Sequence, residues 1–269
     1  MKYLFEILIL AILFYIFYDY ITRPVFVAEK VINNSNVDFN ALLSINNQSE
    51  PINLYYINMD KSINRNNRFL SRMAKFNNYN IIRVKAITPN DLTEYIIDIP
   101  LHCIAMHDKE KSCLLSHFKA IEMAYNNNDE YAIIAEDDMI INKNINWEYF
   151  ISKLPNDWEI IQLYYFKLKF KNNSNFIKLQ SDNFLIKTQN VLTSAAAYLI
   201  NRKGMINILS RIKNKNLNLL DSKNLCLADF IIFDDINRYI LTSPIIKTEE
   251  LDSTLNPHHV PLRKINNIL

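Results

Sequence analysis

Residues 131–138 read Tyr-Ala-Ile-Ile-Ala-Glu-Asp-Asp, an apolar run that ends in three consecutive carboxylates, Glu136, Asp137 and Asp138. The run has the length and residue types of a buried strand in a parallel sheet. Adjacent acids at the end of such a strand repel one another and lose hydration, and a divalent cation or a cationic partner would offset that cost. In open α/β sheets, ligands bind beyond the carboxyl ends of the strands. The stretch therefore predicts a metal-assisted site for a phosphate-bearing substrate, with a solvated turn after a strand as the alternative.

Strands and helices alternate on both sides of this stretch. The apolar patterns predict strands over 52–58, 80–87, 130–135, 158–164 and 191–200, and helices over 63–76, 109–126, 147–154 and 202–212. Alternation of this kind favours a mostly parallel central sheet with helices on both faces. We therefore expect an α/β fold.

The composition excludes several classes of site. Apolar residues make up 49% of the 269 residues, which is enough for a large core, and the net charge of +2 does not indicate nucleic-acid binding. Gly204 is the single glycine, so the Gly-rich phosphate loops of nucleotide-binding motifs are excluded. The three cysteines, Cys103, Cys113 and Cys226, include no tight pair and predict neither a disulfide framework nor a zinc site. We interpret them as buried thiols, with a Cys103–Cys113 disulfide as the alternative.

The amino-terminal region predicts membrane attachment. Glu6 and Asp19 bracket 12 apolar residues, and with its aromatic ends the segment 3–21 approaches the roughly 20 residues that a spanning helix needs. We interpret 1–27 as an uncleaved, single-pass signal-anchor, with a cleaved signal peptide as the alternative. The polar stretch 28–50 is predicted to be a stalk, and 51–269 the globular domain.

A cationic helix face follows the first predicted strand of the domain. Arg65, Arg68 and Arg72 are spaced three and four residues apart, so they share one face just after Asn58-Met59-Asp60. Arginine offers paired donors that fit phosphate oxygens, so this face suits a nucleotide diphosphate. A solvated helix face is the alternative interpretation.

Taken in order, five segments resemble glycosyltransferase family 25, which includes bacterial lipopolysaccharide galactosyltransferases and procollagen galactosyltransferases. They are I-N-M-D-K (57–61), K-E-K-S-C-L-L-S-H (109–117), A-E-D-D (135–138), D-W-E-I-I-Q-L (157–163) and A-Y-L-I-N-R-K-G (197–204). The chain departs from the family pattern at three positions within these segments, and Ile87-Thr88 stands where the family usually has Asp-Gly. Lys61 stands in place of an arginine, and Lys109 and Ser112 replace both glycines of the G-E-x-G-C motif, which stiffens that segment.

The resemblance implies a GT-A-type, Rossmann-like nucleotide-sugar-binding fold. It implies that Asp138, together with Glu136, holds Mn²⁺ or another divalent cation. It implies that Asp229 is the general base of an inverting transfer. The nucleotide-sugar pocket would be lined by Asn58, Asp60, Arg65, Arg68, Ser116, His117, Glu136 and Asp137, although a lone histidine such as His117 is more often structural.

The implied reaction moves a hexose, galactose or glucose, from a UDP-sugar to a hydroxyl of a glycan or protein acceptor. One alternative is a glycosyltransferase-like domain that has lost catalysis and serves as a membrane-anchored binding or structural protein. A weaker alternative is a nucleotidyltransferase, which also uses metal-bound carboxylates. Asp234 and Asp235 are rivals to Asp229 as the base, but they are also typical surface acids, and His258 and His259 are more typical of a polar tail than of a metal site.

Overall fold

The computed structural model describes residues 30–33, 37–43, 50–94, 107–141, 144–165, 183–187, 194–213, 228–242 and 245–249. In these ranges the chain forms three layers, with a central β-sheet between two layers of α-helices. The expected α/β fold is confirmed.

The strands, in chain order, are β1 (Lys30–Asn33), β2 (Ile52–Asn58), β3 (Tyr79–Lys85), β4 (Tyr131–Glu136), β5 (Met139–Ile141), β6 (Ile160–Gln162), β7 (Asn183–Lys187), β8 (Ala197–Asn201), β9 (Arg238–Leu241) and β10 (Ile246–Thr248). The helices are α1 (Phe39–Leu43), α2 (Ile63–Met73), α3 (Asp108–Asn126), α4 (Trp147–Ser152), α5 (Arg202–Lys213) and α6 (Ala228–Phe233), and a 3₁₀-helix covers Pro89–Glu94. All nine elements predicted from the domain's sequence have counterparts here; β2 has the predicted boundaries, and those of the other eight are shifted.

The central sheet is mixed, so the prediction of a mostly parallel sheet is wrong. Its strand order is β1-β7-β9-β6-β8-β4-β2-β3. Three neighbouring pairs are parallel, namely β2 with β3, β2 with β4, and β6 with β9. The other four pairs are antiparallel, because β7 and β8 run against their neighbours. The parallel trio β3-β2-β4 remains, and its three carboxyl ends meet at one edge of the sheet.

Side chains alternate along the central strands between two apolar cores. On β2, Leu54 and Tyr56 face the core shared with α2 and α4, whereas Tyr55 and Ile57 face the core shared with α3, α5 and α6. On β4, Ile133 and Ala135 point to the first core. This period-two alternation determines which helix each residue at the end of a strand will meet.

Part of the segment predicted to be a polar stalk belongs to the folded domain. Strand β1 pairs antiparallel with β7 and forms one edge of the central sheet. Val37 and Leu42 are buried in the core, and the amide of Asn146, next to α4, donates to the Leu42 carbonyl over 2.8 Å. Backbone pairing and two apolar anchors hold this segment, so the stalk prediction is corrected for residues 30–33 and 37–43.

The predicted anchor at 1–27 lies outside the described residues. Within the described ranges, no helix combines the length and the apolar character needed to cross a membrane.

Candidate active site

A pocket of about 520 Å³ opens where the parallel trio of strands ends. It lies beyond the carboxyl ends of β2, β3 and β4 and against the first half of α3, which is the usual ligand position in open α/β sheets. Its wall consists of Ile57, Met59, Lys61, Arg65, Ala86, Ile87, Thr88, Pro89, Asn90, Lys109, Ser112, Cys113, Ser116, His117, Glu136 and Asp137. Three cations and two carboxylates therefore face one cavity.

The three carboxylates after β4 point in two directions. Glu136 is the last residue of the strand, and alternation sends its side chain towards α3, where Oε1 lies 3.7 Å from His117 Nε2. Asp137 and Asp138 form the turn to β5, and both contact Arg65 of α2. The triplet is thus divided between two helices on opposite faces of the sheet.

Asp137 and Asp138 are buried and compensated by side chains of the protein. Asn58 Nδ2 donates to Asp137 Oδ2 over 2.6 Å, and the guanidinium of Arg65 donates to Asp137 Oδ1. The same Arg65 nitrogen lies 3.4 Å from Asp138 Oδ2. Burial raises the pKa of Asp137, although Arg65 and Asn58 act in the opposite direction. Arg65 therefore holds a position between the two carboxylates.

The remaining arginines of the cationic face point away from the pocket wall. Arg68 Nε lies 3.4 Å from a carboxylate oxygen of Glu249, and Arg72 pairs with the same carboxylate. The amide of Glu249 donates to the Asp138 carbonyl over 2.8 Å, because β10 pairs with β5. Arg68 and Arg72 thus attach the two-stranded β5–β10 sheet to α2.

Asn58 and Asp60 lie at the end of β2 beside a second set of cations. The Nε of Arg83 donates to Asn58 Oδ1 over 3.0 Å, so the amide of Asn58 bridges Arg83 and Asp137. Asp60 is exposed and pairs with Arg83 at 2.8 Å and with Lys85 at 3.1 Å. These contacts fix the loop after β2, and neither residue forms part of the pocket wall.

Ser116 and His117 both line the pocket, but they have different partners. Ser116 Oγ accepts the amide of Ile87 and donates to the Ser112 carbonyl, so it holds the loop after β3 against α3. His117 is only 1% exposed, and its Nδ1 lies 3.3 Å from the hydroxyl of Tyr198. Ser116 is therefore a structural residue, and His117 faces Glu136 with its other nitrogen.

Asp229, at the start of α6, lies on the α3 side of the sheet, close enough to Glu136 and His117 for their charges to act on it. Its Oδ1 accepts the amide of Ala195 over 2.8 Å. Burial raises the pKa of Asp229, although the amides of Ala195 and Ser194 stabilise the anion, and the charge of Glu136 adds to the rise. A carboxylate with a raised pKa is a stronger base, which suits proton abstraction.

Several residues of the pocket were not predicted as site residues. Cys113 was interpreted as a buried thiol, yet it lines the pocket one helical turn before His117. Burial raises the pKa of its thiol well above the usual range, and Glu136 adds to this effect.

Lys61 and Lys109, noted only as departures from a motif, supply pocket cations. The i, i+4 spacing of Cys113 and His117 was the available signal. His258 and His259 lie outside the described residues.

Comparisons with known proteins agree on one chemical class. The model of Glycosyltransferase family 25 (LPS biosynthesis protein) matches residues 52–224. The chain is 29% identical over 159 residues to lipooligosaccharide biosynthesis protein lex-1 of Haemophilus influenzae, a match that covers 54% of this chain. The chain spans only 50% of that relative's length.

Two solved structures show a distant likeness. The apo-form glycosyltransferase GlyE of Streptococcus pneumoniae TIGR4 aligns with a TM-score of 0.41 at 12% identity, covering 72% of this chain and 45% of GlyE. A glycosyltransferase involved in the glycosylation of the major capsid of PBCV-1 aligns with a TM-score of 0.38 at 9% identity, covering 69% and 76% of the two chains. Likenesses this distant imply nothing further about this chain.

The family match, in contrast, extends over more than half of the chain and includes β2, β3, α3 and β4, which build the pocket. The chain therefore belongs to glycosyltransferase family 25.

Proposed function

We propose that this protein transfers a hexose, galactose or glucose, from a UDP-sugar to a hydroxyl of a glycan or protein acceptor, with inversion at the anomeric carbon. The observation that carries the proposal is the pocket at the ends of β2, β3 and β4, in which Lys61, Arg65 and Lys109 face Glu136 and Asp137. Its volume of about 520 Å³ lies within the range of sites for small molecules and cofactors. A GT-A-type arrangement of the donor agrees with this placement.

The cations of the pocket would bind the diphosphate of the donor. Lys61 follows β2 and Lys109 lies in the first turn of α3, so positive charge reaches the cavity from two sides, whereas the charge of Arg65 on α2 is shared with Asp137 and Asp138. This distribution supports a ligand that carries two adjacent phosphates. Because the chain has a single glycine, outside this pocket, side chains rather than a Gly-rich loop must supply these contacts.

A divalent cation, Mn²⁺ or another, belongs to the proposal because it would neutralise charge on the departing diphosphate. The predicted pair of metal ligands fits only in part. Asp138 lies 3.4 Å from the Arg65 guanidinium, which also contacts Asp137 and already supplies the positive charge at that turn. Glu136 instead lines the pocket. We therefore assign the metal-holding role within the triplet to Glu136 rather than to Asp138.

Inversion in one displacement requires a base that accepts the proton of the acceptor hydroxyl. Asp229 is the residue we propose for this role, because its raised pKa makes it a stronger base than a surface carboxylate. The amide of Ala195 fixes its orientation by donating to Oδ1. The acceptor hydroxyl would then approach from the side of α6.

The proposal includes attachment to a membrane through residues 1–27, which rests on the apolar sequence of that segment alone. Co-sedimentation of the full chain with phosphatidylcholine vesicles, compared with residues 28–269, tests it. Equal sedimentation of the two chains would remove this part of the proposal.

The test of the reaction is hydrolysis and transfer with a panel of UDP-sugars, followed as release of UDP from the full chain. We expect slow release from one UDP-hexose, and its loss in Glu136→Gln. Glu122→Gln is a matched control, because Glu122 lies exposed on α3. UDP binding without turnover of any donor would assign the inactive binding protein instead. Absence of UDP binding would overturn the assignment of the pocket.

A further inference from the structure

Cys113, His117 and Glu136 form a cluster of metal-binding side chains in the pocket wall. Cys113 and His117 are four residues apart on α3, so their side chains leave the same face of the helix. Glu136 meets them from the end of β4. One ligand atom from each of the three residues lies within 4.8 Å of the other two.

The spacing of these atoms suits tetrahedral coordination. Metal–ligand bonds of about 2.0–2.3 Å at tetrahedral angles place neighbouring ligand atoms about 3.5 Å apart. His117 Nε2 and Glu136 Oε1 are already 3.7 Å apart, which is too long for a hydrogen bond and close to that separation. The Sγ of Cys113 lies within 4.8 Å of the ligand atoms of His117 and Glu136, a separation that metal binding would shorten.

His117 is oriented as a ligand by its second nitrogen. Nδ1 lies 3.3 Å from the hydroxyl of Tyr198, which is fully buried, and donation to that hydroxyl leaves a lone pair on Nε2. His117 is 1% exposed, and Nε2 has no hydrogen-bond partner among the described residues. A hydrogen bond on one ring nitrogen with the other directed at the ion is the usual arrangement of metal-binding histidines.

We propose that Cys113, His117 and Glu136 constitute a zinc site whose fourth coordination position opens into the pocket. Thiolate and imidazole ligands select Zn²⁺, whereas Mn²⁺ favours sites made mostly of oxygen. Three protein ligands and one open position are the pattern of catalytic rather than structural zinc sites. The sequence argued against zinc because no two cysteines lie close together, but one cysteine is enough when a helix and a strand supply the other ligands.

The site stands on its own geometry, and it also deepens the proposed function by naming the cation and its ligands. A bound Zn²⁺ would carry its open position towards the cavity that Lys61 and Lys109 line. The ligand class for that position is an anionic oxygen, such as a phosphate oxygen of the donor, or water.

The test is titration of the metal-depleted full chain with Co²⁺, which replaces Zn²⁺ and reports its ligands by absorption. We expect one equivalent of Co²⁺ to produce intense tetrahedral d–d bands and a thiolate-to-metal charge-transfer band, both displaced by one equivalent of Zn²⁺. Cys113→Ser should abolish the charge-transfer band. The double substitution of Cys103 and Cys226 by serine is the matched control and should retain it.

Two further variants keep the test decisive if one protein folds poorly. Glu136→Gln should lower Zn²⁺ affinity at least 10-fold while the charge-transfer band survives at saturating Co²⁺. Tyr198→Phe removes the partner of His117 Nδ1 and should weaken binding about 10-fold with unchanged tetrahedral bands, as expected for a positioning residue. Circular dichroism of each metal-free variant establishes that it is folded.

Absence of a thiolate band in the unaltered chain, or a band that persists in Cys113→Ser, would overturn the proposal. So would Mn²⁺ binding that exceeds Zn²⁺ binding and is indifferent to Cys113→Ser. These measurements need neither donor nor acceptor. Failure of the zinc site and failure of the transferase proposal are therefore separate results.

Discussion

Replacement of Arg65 by methionine should be the most destabilising single change at the pocket. Methionine keeps most of the length of the side chain but removes the guanidinium that contacts both Asp137 and Asp138. The side chains of these carboxylates are 6% and 1% exposed, and that of Arg65 is 16% exposed. The variant therefore leaves two buried charges without the cation that lies between them.

The magnitude follows from the 3.4 Å separation of Arg65 and Asp138. At an effective dielectric constant of about 20, two unit charges at that distance attract by about 5 kcal/mol, before the cost of desolvation is subtracted. Breaking a buried pair by removing one partner typically costs about 3–5 kcal/mol. Because Asn58 still donates to Asp137, we expect a loss near the lower limit, about 3 kcal/mol in the free energy of unfolding.

Arg68→Met is the matched control on the same helix face. Arg68 is 46% exposed and lies 3.4 Å from Glu249, so solvent screens the pair and its loss should cost under about 1 kcal/mol. Urea unfolding followed by circular dichroism compares the two variants, with an unchanged slope as the condition for reading the midpoints as stability. If Arg65→Met unfolds at the same urea concentration as Arg68→Met, the reasoning about the buried triplet is refuted. Adding Asp137→Asn to Arg65→Met should restore part of the loss.

Three further predictions concern stability and catalysis. Gly204→Ala should lower the free energy of unfolding by about 1–2 kcal/mol, because the new Cβ would lie 2.6 Å from the backbone carbonyl oxygen of Glu159. This overlap outweighs the gain of about 1 kcal/mol that alanine gives over glycine in a helix. Ser210→Ala, exposed on the same helix, is the control and should change the free energy of unfolding by less than about 0.5 kcal/mol. Burial alone would raise the pKa of Glu159, but Lys203 and hydrogen bonds lower it below 4.5. The stabilisation that Glu159 contributes is therefore present above pH 4.5 and is lost as the pH falls through its folded-state pKa. Glu159→Gln should reduce the loss of stability at acid pH in a plot of urea midpoint against pH, and an unchanged acid limb would contradict this. Asp229→Asn should reduce turnover of the UDP-sugar at least about 100-fold while calorimetric UDP affinity stays within a few-fold, since a base acts only in the chemical step; equal losses in both would exclude that role.

Sequence patterns predicted the elements of the domain but not the direction of every strand. The period-two and helical patterns located β2, α3 and β4 to within a residue or two. The same patterns carry no information on whether a strand runs parallel or antiparallel to its neighbour, which depends on the path of the connections. Strand β8 lies between β4 and β6 and runs against both, and β7 likewise runs against β1 and β9, so the sheet is mixed.

The prediction of a polar stalk was wrong for a related reason. A strand at the edge of a sheet is held mainly by backbone hydrogen bonds, so β1 needs no apolar repeat to pair with β7. Val37 is flanked by polar residues, and Leu42 lies in the short apolar run 41–43, which is too brief to indicate a buried element. Composition therefore could not distinguish this segment from a linker.

The acidic triplet shows how far reasoning from sequence reaches at the site. The run of apolar residues before Glu136 correctly predicted a buried strand that ends at a pocket. The assignment of Asp138 as the direct metal ligand stays a prediction, and Arg65 now stands against it. What the sequence could not show is which helix each carboxylate meets: Glu136 faces His117 of α3, whereas Asp137 and Asp138 both contact Arg65 of α2.

That division is the property from which the chemistry of the pocket follows. Glu136 ends β4 and meets α3, whereas Asp137 and Asp138 form the turn that follows and meet Arg65 of α2. On the α2 side, Arg65 neutralises Asp137 and Asp138 within the protein. On the α3 side, a thiol and an imidazole are the ligand types that we propose bind a metal ion. One short acidic motif thus serves two purposes: Asp137 and Asp138 tie α2 to the end of β4, and Glu136 is a ligand of the proposed zinc site. A protein in which all three carboxylates bound the same ion would lose metal affinity on substitution of any of them. Here Glu136→Gln and Asp137→Asn should separate, the first reducing Zn²⁺ affinity and the second changing stability with little effect on Zn²⁺.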